Sequence, residues 1–581
     1  MSTNRELTGR ALVTGVVLGA LLAPCNVYSG LKIGWSFNMS IIALLIGVAL
    51  WRVLARAFGL REWTALESNI GQTTASAAAS IVSGGLVAPI PAFTLITGHS
   101  LDATALVAWV FTVSLLGVWI AWYLRPAMLG PASALRFPEG VATLETLKEV
   151  FAQGSEATRR VAALGVAALV SGATRWVDVF VAQLPRWAPA EGLSRLTLAI
   201  DPSWLLAGFG AIVGLRVGLS LLLGALLAWG AIAPRIAGSV VPVPDDPASS
   251  LFGPLIEWLL WPGVSLMVGA TLTSFAFGLW RSRSRGAGGG RPVDGATHPV
   301  RAATRPVAAW APAAAIAAAS LAAIALQVLL FDIDAWIAML AIPVAVMLAV
   351  VAARVVGDTG IPPIGAIGKV SQLGFGLAAP GQAVANLMTA NVAGGAAGQC
   401  ADLMNDFRVG QAIGASPLRQ AIAQCVGVLT GSLVGAAAYL ALLPDPAAML
   451  LTEEWPAPAV ATWKAVAEAM AHGIDSVPES ARIAMLLALV AGCAAGVAEA
   501  LAPARLVRRL PSATAIGLAF VIPASISFTM ALGALAAAVF RAAAPSLAAR
   551  FTVAIAAGLV AGESFVGVFA AFAQWAANAG S

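Results

Sequence analysis

Long apolar segments follow one another along the whole chain, with short charged loops between them. They lie near 11–25, 36–57, 70–88, 104–124, 161–181, 203–234, 258–280, 308–330, 335–353, 377–404, 417–443, 483–501, 512–540 and 551–577. They show no alternation with a period of two, which excludes membrane-spanning strands. A helix needs about 20 apolar residues to cross a bilayer, so the sequence predicts an all-α polytopic membrane protein with about 14–16 transmembrane helices, some broken or re-entrant.

The charge content supports this prediction. Hydrophobic residues make up 59% of the chain and charged residues only 10%, whereas soluble domains carry about 25% charged residues. A soluble surface needs that charge to stay dispersed, so soluble enzymes are excluded. The net charge of +5 comes mostly from arginines in short loops, which indicates membrane topology rather than nucleic-acid binding. The expected surroundings are a lipid bilayer, with no nucleic-acid partner.

Basic and acidic loops alternate along the chain. Arginine clusters follow the second and fourth segments and recur at 281–305 and 505–509, while acidic clusters lie at 245–246, 332–334 and 445–454. Basic loops stay on the cytoplasmic side, so we expect a multi-pass protein of a bacterial inner membrane with a cytoplasmic N-terminus. This alternation requires 203–234 to cross twice, with a break near Gly214.

A segment rich in arginine and glycine divides the chain. We predict an N-terminal membrane half at 1–280, a cytoplasmic linker at 281–307 and a C-terminal membrane half at 308–581. Two short sequence matches between the halves are compatible with an internal duplication, which is common in secondary transporters.

Four polar clusters interrupt the apolar segments. Polar groups at membrane depth cost several kcal/mol unless they are paired or face water, so they mark function. The first cluster places Asn26, Tyr28 and Lys32 at a glycine-bracketed break between two segments. It can be an unwound segment whose lysine meets an anion, or an interfacial turn in which Lys32 reaches the headgroups.

The second cluster holds Glu67, Asn69 and Gln72 among small and hydroxylic residues. Small residues allow neighbouring backbones to approach, and the polar groups can then line a cavity. The alternative is a tight packing interface with Glu67 among the headgroups.

The third cluster, at 357–369, contains two prolines and four glycines that forbid an unbroken helix. It predicts a discontinuous element with Asp358 and Lys369 near its ends. The fourth cluster is the densest, and it holds Asn386, Asn391, Gln399, Asp402, Asn405, Asp406 and Arg408. Spacings of three and four place a stripe of these groups on one helix face, which must meet water, a substrate or a partner charge. Arg408 can pair with either aspartate, and a purely structural ion pair is the alternative.

The chain lacks the motifs of the common hydrolases and metalloenzymes. Its four cysteines lie in apolar stretches without CxxC spacing, which indicates buried inert thiols. The histidines are isolated, and no HExxH or GxSxG motif occurs. We therefore expect no enzymatic activity, no metal centre and no cofactor.

Taken in order, the polar clusters resemble the oligopeptide transporter (OPT) family, which includes the yellow-stripe-like metal-chelate transporters and many bacterial members. The resemblance extends from Asn26 to about Phe572. It is carried by Asn-x-Tyr-x-Gly-Leu-Lys-x-Gly-Trp at 26–35, the Glu/Asn/Gln run at 67–72, Phe-Pro-Glu-Gly-Val-Ala at 137–142, Gly-x-x-Gly-Ile-x-Pro beginning at Gly357, Ala-Asp-Leu-Met-Asn-Asp-Phe-Arg-Val-Gly at 401–410 and Leu-Pro-Ser at 510–512.

The resemblance implies a large helical membrane fold and secondary, proton-coupled uptake of small peptides, glutathione-like peptides or metal complexes of peptide-like chelators. The Asn-Pro-Gly and Lys-Ile-Pro-Pro-Arg signatures of the eukaryotic peptide-transporting branch are absent, and Arg408 stands where Lys is usual. The chain is therefore more similar to the yellow-stripe-like and bacterial branch.

We therefore expect a secondary active importer of small oligopeptides or peptide-like compounds, coupled to protons or another cation. Uptake of metal-chelate or siderophore complexes is the alternative within transport, and a channel or a membrane-embedded enzyme are the alternatives outside it. A buried carboxyl can exchange a proton, so the expected coupling residues are Glu67, Asp358, Asp402 and Asp406. The expected substrate contacts are Asn26, Tyr28, Lys32, Asn69, Gln72, Lys369, Asn386, Asn391, Gln399 and Arg408. A homo-oligomer is compatible with this interpretation.

Overall fold

The computed structural model describes residues 6–34, 39–130, 133, 135–152, 154–244, 246, 249–286, 310–359, 364–507 and 509–579. All regular secondary structure in these residues is helical, and 13 helical segments are long and apolar enough to cross a membrane. The predicted all-α polytopic fold is confirmed. Most of the predicted linker, from 287 onward, lies outside the described residues, as do Trp35 of the first motif and 360–363 of the third cluster.

The described helices have the following bounds in chain order. They are α1 (Gly9–Ile33), α2 (Ser40–Phe58), α3 (Ala65–Ala79), α4 (Pro89–Thr97), α5 (Ala103–Leu129), α6 (Pro138–Ala152), α7 (Gly154–Phe180), α8 (Glu191–Arg195), α9 (Trp204–Val213), α10 (Leu215–Ala225), α11 (Ala233–Ile236), α12 (Phe252–Gly286), α13 (Trp310–Phe331), α14 (Ala335–Thr359), α15 (Ile364–Ala378), α16 (Ala383–Ile413), α17 (Pro417–Leu442), α18 (Pro446–Met449), α19 (Pro458–His472), α20 (Glu479–Leu501), α21 (Ala504–Val507), α22 (Ala513–Ala519), α23 (Ala524–Ala543) and α24 (Pro545–Ala579). A 3₁₀ helix (Ser80–Gly84) continues α3, a π-helix (Leu226–Ile232) joins α10 to α11, and a second 3₁₀ helix (Gly473–Ser476) follows α19.

The helices form two bundles, and each bundle takes helices from both halves of the chain. Bundle 1 combines α1–α6 with α13–α19: α3 packs between α1 and α17, and α16 packs against α5, α14 and α15. Bundle 2 combines α7–α12 with α20–α24: α7 packs along α24, and α12 along α20. The bundles meet where α24 contacts α1 and α17 and where α12 contacts α15. The two halves of the sequence therefore interleave in space.

Glycines allow the helices of bundle 1 to approach closely. A Cβ atom at Gly427 of α17 would collide with the carbonyl oxygen of Thr74 in α3. A Cβ at Gly117 of α5 would collide in the same way with the carbonyl oxygen of Ala396 in α16. Within lipid, close van der Waals packing of small residues is a main source of helix association. These contacts therefore fix the positions of the helices that carry the polar clusters.

Replacing Gly427 by Val is expected to force α17 away from α3 and to lower the free energy of unfolding by about 1–3 kcal/mol, the usual cost of overpacking. Gly165→Val in α7 is the matched control, because nothing lies within 4 Å of a Cβ built at Gly165. Thermal unfolding of the two purified variants measures the difference. Equal melting temperatures would contradict the close contact between α17 and α3.

The segment 203–234 is broken where the sequence predicts it. α9 ends at Val213, and Gly214 has a φ of 83° before α10 begins. α9 contains 10 residues, which make about 15 Å of helix, half of a hydrocarbon core of about 30 Å. The prediction that this segment crosses twice is therefore wrong, because only Leu215–Ile236 has crossing length.

Candidate functional site

The densest polar cluster lies on α16, a 31-residue helix enclosed by bundle 1. Most side chains between Ala383 and Gly410 are buried. The break after α3 packs directly on this helix, since a Cβ at Gly395 would lie 2.7 Å from the carbonyl oxygen of Ser83. Because lipid is excluded by such close packing, the polar side chains of α16 must be satisfied by protein groups, water or a ligand.

Asp406 is the deepest carboxyl of this cluster, with an exposure of 2%. The Nε2 atom of Gln72 in α3 donates to its Oδ1 at 3.1 Å, and the hydroxyls of Thr73 and Ser40 are further hydrogen-bonding neighbours. From α17, the Nε2 atom of Gln420 donates to the backbone carbonyl oxygen of Asp406 at 2.8 Å. Within the described residues no cation pairs with this carboxylate, so neutral donors alone hold it.

Arg408 does not form the ion pair that the sequence suggests. Its Nη1 atom donates weakly to Oε1 of Gln411 at 3.4 Å, and its Nε atom is buried without a partner among the described residues. No salt bridge joins Arg408 to Asp402 or Asp406 in the part of the chain that the structure describes. The pairing that the spacing allows is therefore not formed among the described residues, where the guanidinium contacts Gln411 of its own helix.

Asp402 and Gln399 lie one and two turns before Asp406 on α16. Asp402 is partly exposed and has the Ser80 hydroxyl as a hydrogen-bonding neighbour, so both aspartates face α3 and its 3₁₀ continuation. Gln399 is fully buried, and neither atom of its side-chain amide has a hydrogen-bond partner among the described residues. A buried amide left unpaired on both atoms marks a place where water or a ligand can bind.

Three of the sequence motifs meet at the start of α6. The backbone N–H groups of Arg136 and Phe137 both donate to the carbonyl oxygen of Gly357 at 2.9 Å. Phe137 is fully buried and has a positive φ of 52°. Two residues later, the side chain of Glu139 accepts from Nδ2 of Asn405 at 3.0 Å. The motifs at 137–142 and 401–410, together with Gly357 at the start of a third motif, therefore lie in one region of bundle 1.

Asn26 and Asn391 bind the backbone where α3 gives way to its 3₁₀ continuation. The Nδ2 atom of Asn26 donates to the carbonyl oxygen of Ala79, and that of Asn391 to the carbonyl oxygen of Gly84, each at 3.0 Å. The carbonyl groups at a helix end have no partner within the helix, and inside a membrane they cannot be left to lipid. The two asparagines thus stabilise the break in α3 beside α16.

Tyr28 and Lys32 lie in the last two turns of α1, which remains helical to Ile33 and ends at Gly34 with a φ of 75°. Of the two alternatives for this cluster, the unwound segment is therefore not found between Asn26 and Ile33. Lys32 donates from Nζ to the carbonyl oxygen of Glu454 at 2.5 Å, and the ring of Trp455 lies 5.0 Å from the ammonium. Lys32 thus joins α1 to the loop before α19.

Glu67 lies at the N-terminus of α3, where it completes a capping box with Thr64. Its side chain is fully buried and forms ion pairs with Arg10 at 2.5 Å and with Arg61 at 2.8 Å. Thr8 also donates to it at 2.9 Å. Glu67 is thus fixed by two cations at the end of α3, whereas Asn69 and Gln72 of the same cluster face the interior and are buried.

The third cluster falls on two helices. α14 continues to Thr359, so Asp358 lies in its last turn and is exposed. Lys369 lies inside α15 and is 8% exposed. Asn386 of α16 lies opposite α15 and hydrogen-bonds with Gln372. Asp358 is therefore more exposed than Asp402 and Asp406, while Lys369 and Asn386 lie on helices that pack against each other.

Sequence reasoning missed three buried glutamines that lie beside these residues. Gln420 and Gln424 lie one turn apart on α17, and Gln372 lies on α15; all three are at most 1% exposed. Both side-chain polar atoms of Gln424 lack a partner among the described residues. The sequence does contain a signal for the pair on α17, because amides three or four residues apart in an apolar helix share one face.

The described residues contain no group of three or more His, Cys, Asp or Glu side chains placed to hold a metal ion. The cysteines are free thiols at separate positions, two of them buried. The chemistry that the site offers is therefore that of buried carboxyl groups, amides and a few cations. Such a set can exchange protons and can bind polar solutes through hydrogen bonds.

A sequence model of the family described as OPT oligopeptide transporter protein matches residues 6–574. A Saccharomyces cerevisiae protein named as a candidate oligopeptide transporter is 23% identical over 75% of this chain and 78% of its own. A rice (Oryza sativa subsp. japonica) protein named as a probable metal-nicotianamine transporter is 24% identical over 96% of this chain and 88% of its own. The maize (Zea mays) iron-phytosiderophore transporter yellow stripe 1 is 26% identical over 64% of this chain and 58% of its own.

The family match includes every polar cluster of bundle 1 and the helices of bundle 2. The chain therefore belongs to the OPT oligopeptide transporter family.

Proposed function

We propose that this transporter is a secondary active importer of small oligopeptides or peptide-like compounds, driven by protons. The observation that carries the proposal is the buried carboxyl of Asp406, which only neutral donors contact among the described residues. A charged carboxylate is costly in such surroundings, whereas a protonated one is not. A group of this kind suits a cycle in which a proton binds from one side of the membrane and leaves to the other.

Asp402 is the second coupling residue in this proposal. It is partly exposed and lies one turn from Asp406, so it is placed to pass protons between the buried carboxyl and water. We leave Glu67 out of the coupling set because two arginines hold it, and Asp358 because it lies exposed at the end of α14. Proton exchange therefore centres on α16.

The proposed substrate contacts are those polar groups that the described part of the fold leaves without partners. Gln399 supplies both a donor and an acceptor, and Asn69 supplies a free Nδ2 atom beside Gln72. Arg408 and Lys369 supply positive charge. Hydrogen bonds to protein groups already engage Asn26, Asn386, Asn391 and Lys32, and Tyr28 packs against the ring of Trp455. We assign all five to positioning the helices around the substrate.

Uptake of metal complexes of peptide-like chelators is the second candidate. It is favoured by the names of the rice and maize relatives, which refer to nicotianamine and phytosiderophore complexes. Since the described residues offer no metal centre of their own, the metal would arrive enclosed by its chelator. The protein would then recognise the carboxylate and amine groups of the chelator.

Proteoliposomes with an imposed pH gradient test the proposal. Tripeptides and nickel–nicotianamine are the two probes, and uptake is compared with and without a protonophore. We expect accumulation of one probe above its external concentration, and its loss when the gradient is collapsed. Accumulation that survives the collapse of every ion gradient would contradict coupling, and rapid downhill flux without accumulation would indicate a channel.

We also propose that the N-terminus lies in the cytoplasm and that the protein resides in a bacterial inner membrane. The arginine-rich loops near α2 and α5 support this orientation, since basic loops remain on the cytoplasmic side. Both loops precede 203–234, so this support does not depend on how often that segment crosses. Protease or thiol-labelling access to a tag placed before α1 tests it. If an impermeant reagent labels the tag in intact cells, the N-terminus lies outside the cytoplasm and the proposed orientation is wrong.

A further inference from the structure

Lys369 is a buried cation for which the described part of the fold supplies no counter-charge. It lies on α15 with 8% exposure, and no acidic side chain pairs with it among the described residues. Three other partly buried cations of the protein have such partners: ion pairs join Arg10 to Glu67, Arg216 to Glu499 and Arg175 to Asp178. Lys32 instead binds a backbone carbonyl oxygen. A buried unpaired charge is costly, so a position that keeps one indicates that the partner comes from outside the protein.

Gln372 lies one turn after Lys369 and has a free acceptor. Its Nε2 atom donates both to Oδ1 of Asn386 at 3.2 Å and to the carbonyl oxygen of Trp463 at 3.0 Å. If the Gln372 amide were flipped, its Oε1 atom would face the carbonyl oxygen of Trp463, and two acceptors would meet. The hydrogen bonds therefore assign Nε2 to the side facing Trp463 and Oε1 to the other side. The Oε1 atom, buried and without a partner among the described residues, is therefore the one left for a donor.

The two groups share one face of α15, because residues three apart in a helix are neighbours. Gly365 lies on the same face, one turn before Lys369, and a Cβ built there meets no described residue within 4 Å. On the adjoining side the indole of Trp463 is in contact with the helix, since a Cβ at Gly368 would collide with its ring. Among the described residues, this face is thus uncovered at Gly365 and has the indole of Trp463 beside it.

We propose that Lys369 and Gln372 form a subsite for a carboxylate that carries an N–H group next to it, as at the carboxyl end of a peptide or in an amino-carboxylate chelator. The ammonium of Lys369 binds the carboxylate, and Oε1 of Gln372 accepts the N–H. Free anions fit less well, because chloride has no N–H group to donate to Oε1 of Gln372, and a phosphate dianion would place a further anionic oxygen beside it. This inference rests on the proposed function and names the chemical group that the transporter recognises.

Binding to the purified full-length protein tests the subsite, with trialanine, trialanine amide and nickel–nicotianamine as probes. We expect the free-acid probes to bind the wild type, and trialanine amide to bind at least about 10-fold more weakly than trialanine. Lys369→Met is expected to weaken binding of the free acids on the order of 100-fold and to leave binding of the amide unchanged. Gln372→Leu is expected to weaken both peptides on the order of 10-fold.

Two further variants keep the test specific. Lys464→Met is the matched control, since Lys464 lies on neighbouring α19 and pairs with Glu468; it should bind every probe as the wild type does. Lys369→Arg retains the charge and should bind the free acids better than Lys369→Met. Without ligand, Lys369→Met should melt at the same temperature as the wild type or higher, because it removes an unpaired buried charge.

The outcomes separate the subsite from the proposed function. Wild-type affinity of Lys369→Met for trialanine or nickel–nicotianamine would overturn the subsite and leave peptide or chelate transport standing. Equal affinity of the wild type for trialanine and trialanine amide would also overturn the subsite and leave peptide or chelate transport standing. Failure of every probe to bind the wild type would overturn the proposed substrate class, and the subsite with it.

Discussion

Asp406→Asn is expected to abolish proton-driven accumulation while leaving downhill exchange of substrate intact. Asparagine has the shape of the protonated acid and can still accept from Nε2 of Gln72, but it cannot release a proton. One pH unit corresponds to about 1.4 kcal/mol, so a gradient of about two units, with one proton carried per substrate, supports about 100-fold accumulation. The variant should reach a ratio of about one.

The measurement is uptake into proteoliposomes with the membrane potential held at zero, together with exchange of labelled for unlabelled substrate at equal concentrations. Asp102→Asn is the control, because Asp102 is an exposed helix cap at the start of α5 and asparagine caps equally well. Accumulation by Asp406→Asn at the wild-type level would exclude Asp406 as the coupling group. The same experiment on Asp402→Asn then tests the second aspartate.

Glu67→Ala is expected to destabilise the protein by about 3 kcal/mol, the lower end of the range for breaking a buried ion pair. The lower end applies because Arg61 is half-exposed and can return to water, whereas Arg10 is mostly buried and loses its only acidic partner among the described residues. The variant also loses the capping box of α3. Thermal unfolding of the purified protein and the yield of folded protein both report the loss.

Glu62→Ala is the control for this variant. Glu62 is exposed, and the contact that Arg10 makes with it uses only its backbone carbonyl oxygen. Glu62→Ala should therefore have the same melting temperature as the wild type. If Glu67→Ala instead keeps wild-type stability and loses accumulation as Asp406→Asn does, the structural role is wrong and Glu67 belongs with the coupling residues.

Two physical rules, applied to the sequence alone, predict that the chain is a polytopic membrane protein and predict which of its helices carry polar groups. Apolar length predicts the spans, and the break at Gly214 is predicted from the excess length of its segment. The high cost of polar groups in lipid singles out Asp402, Asp406, Gln399 and Lys369. These rules depend on local composition, so one sequence is enough to apply them.

The partners of those polar groups could not be predicted, because they come from distant parts of the chain. Glu67 meets Arg10, 57 residues earlier, and Lys32 meets the backbone of Glu454, 422 residues later. Neither contact has a sequence pattern. The same limit applies to Arg408: its spacing from Asp402 and Asp406 allows an ion pair, but in the structure its guanidinium contacts Gln411.

The interleaving of the two halves has a consequence for how the protein is made. α3 is complete at Ala79, but α17, which covers one of its sides, begins only at Pro417. At about 5–20 residues per second, the ribosome needs roughly 20 to 70 s to make the chain between them. During that time Gln72 and its neighbours are in the membrane without their final cover, so insertion of this protein must shield polar helices until the second half is translated.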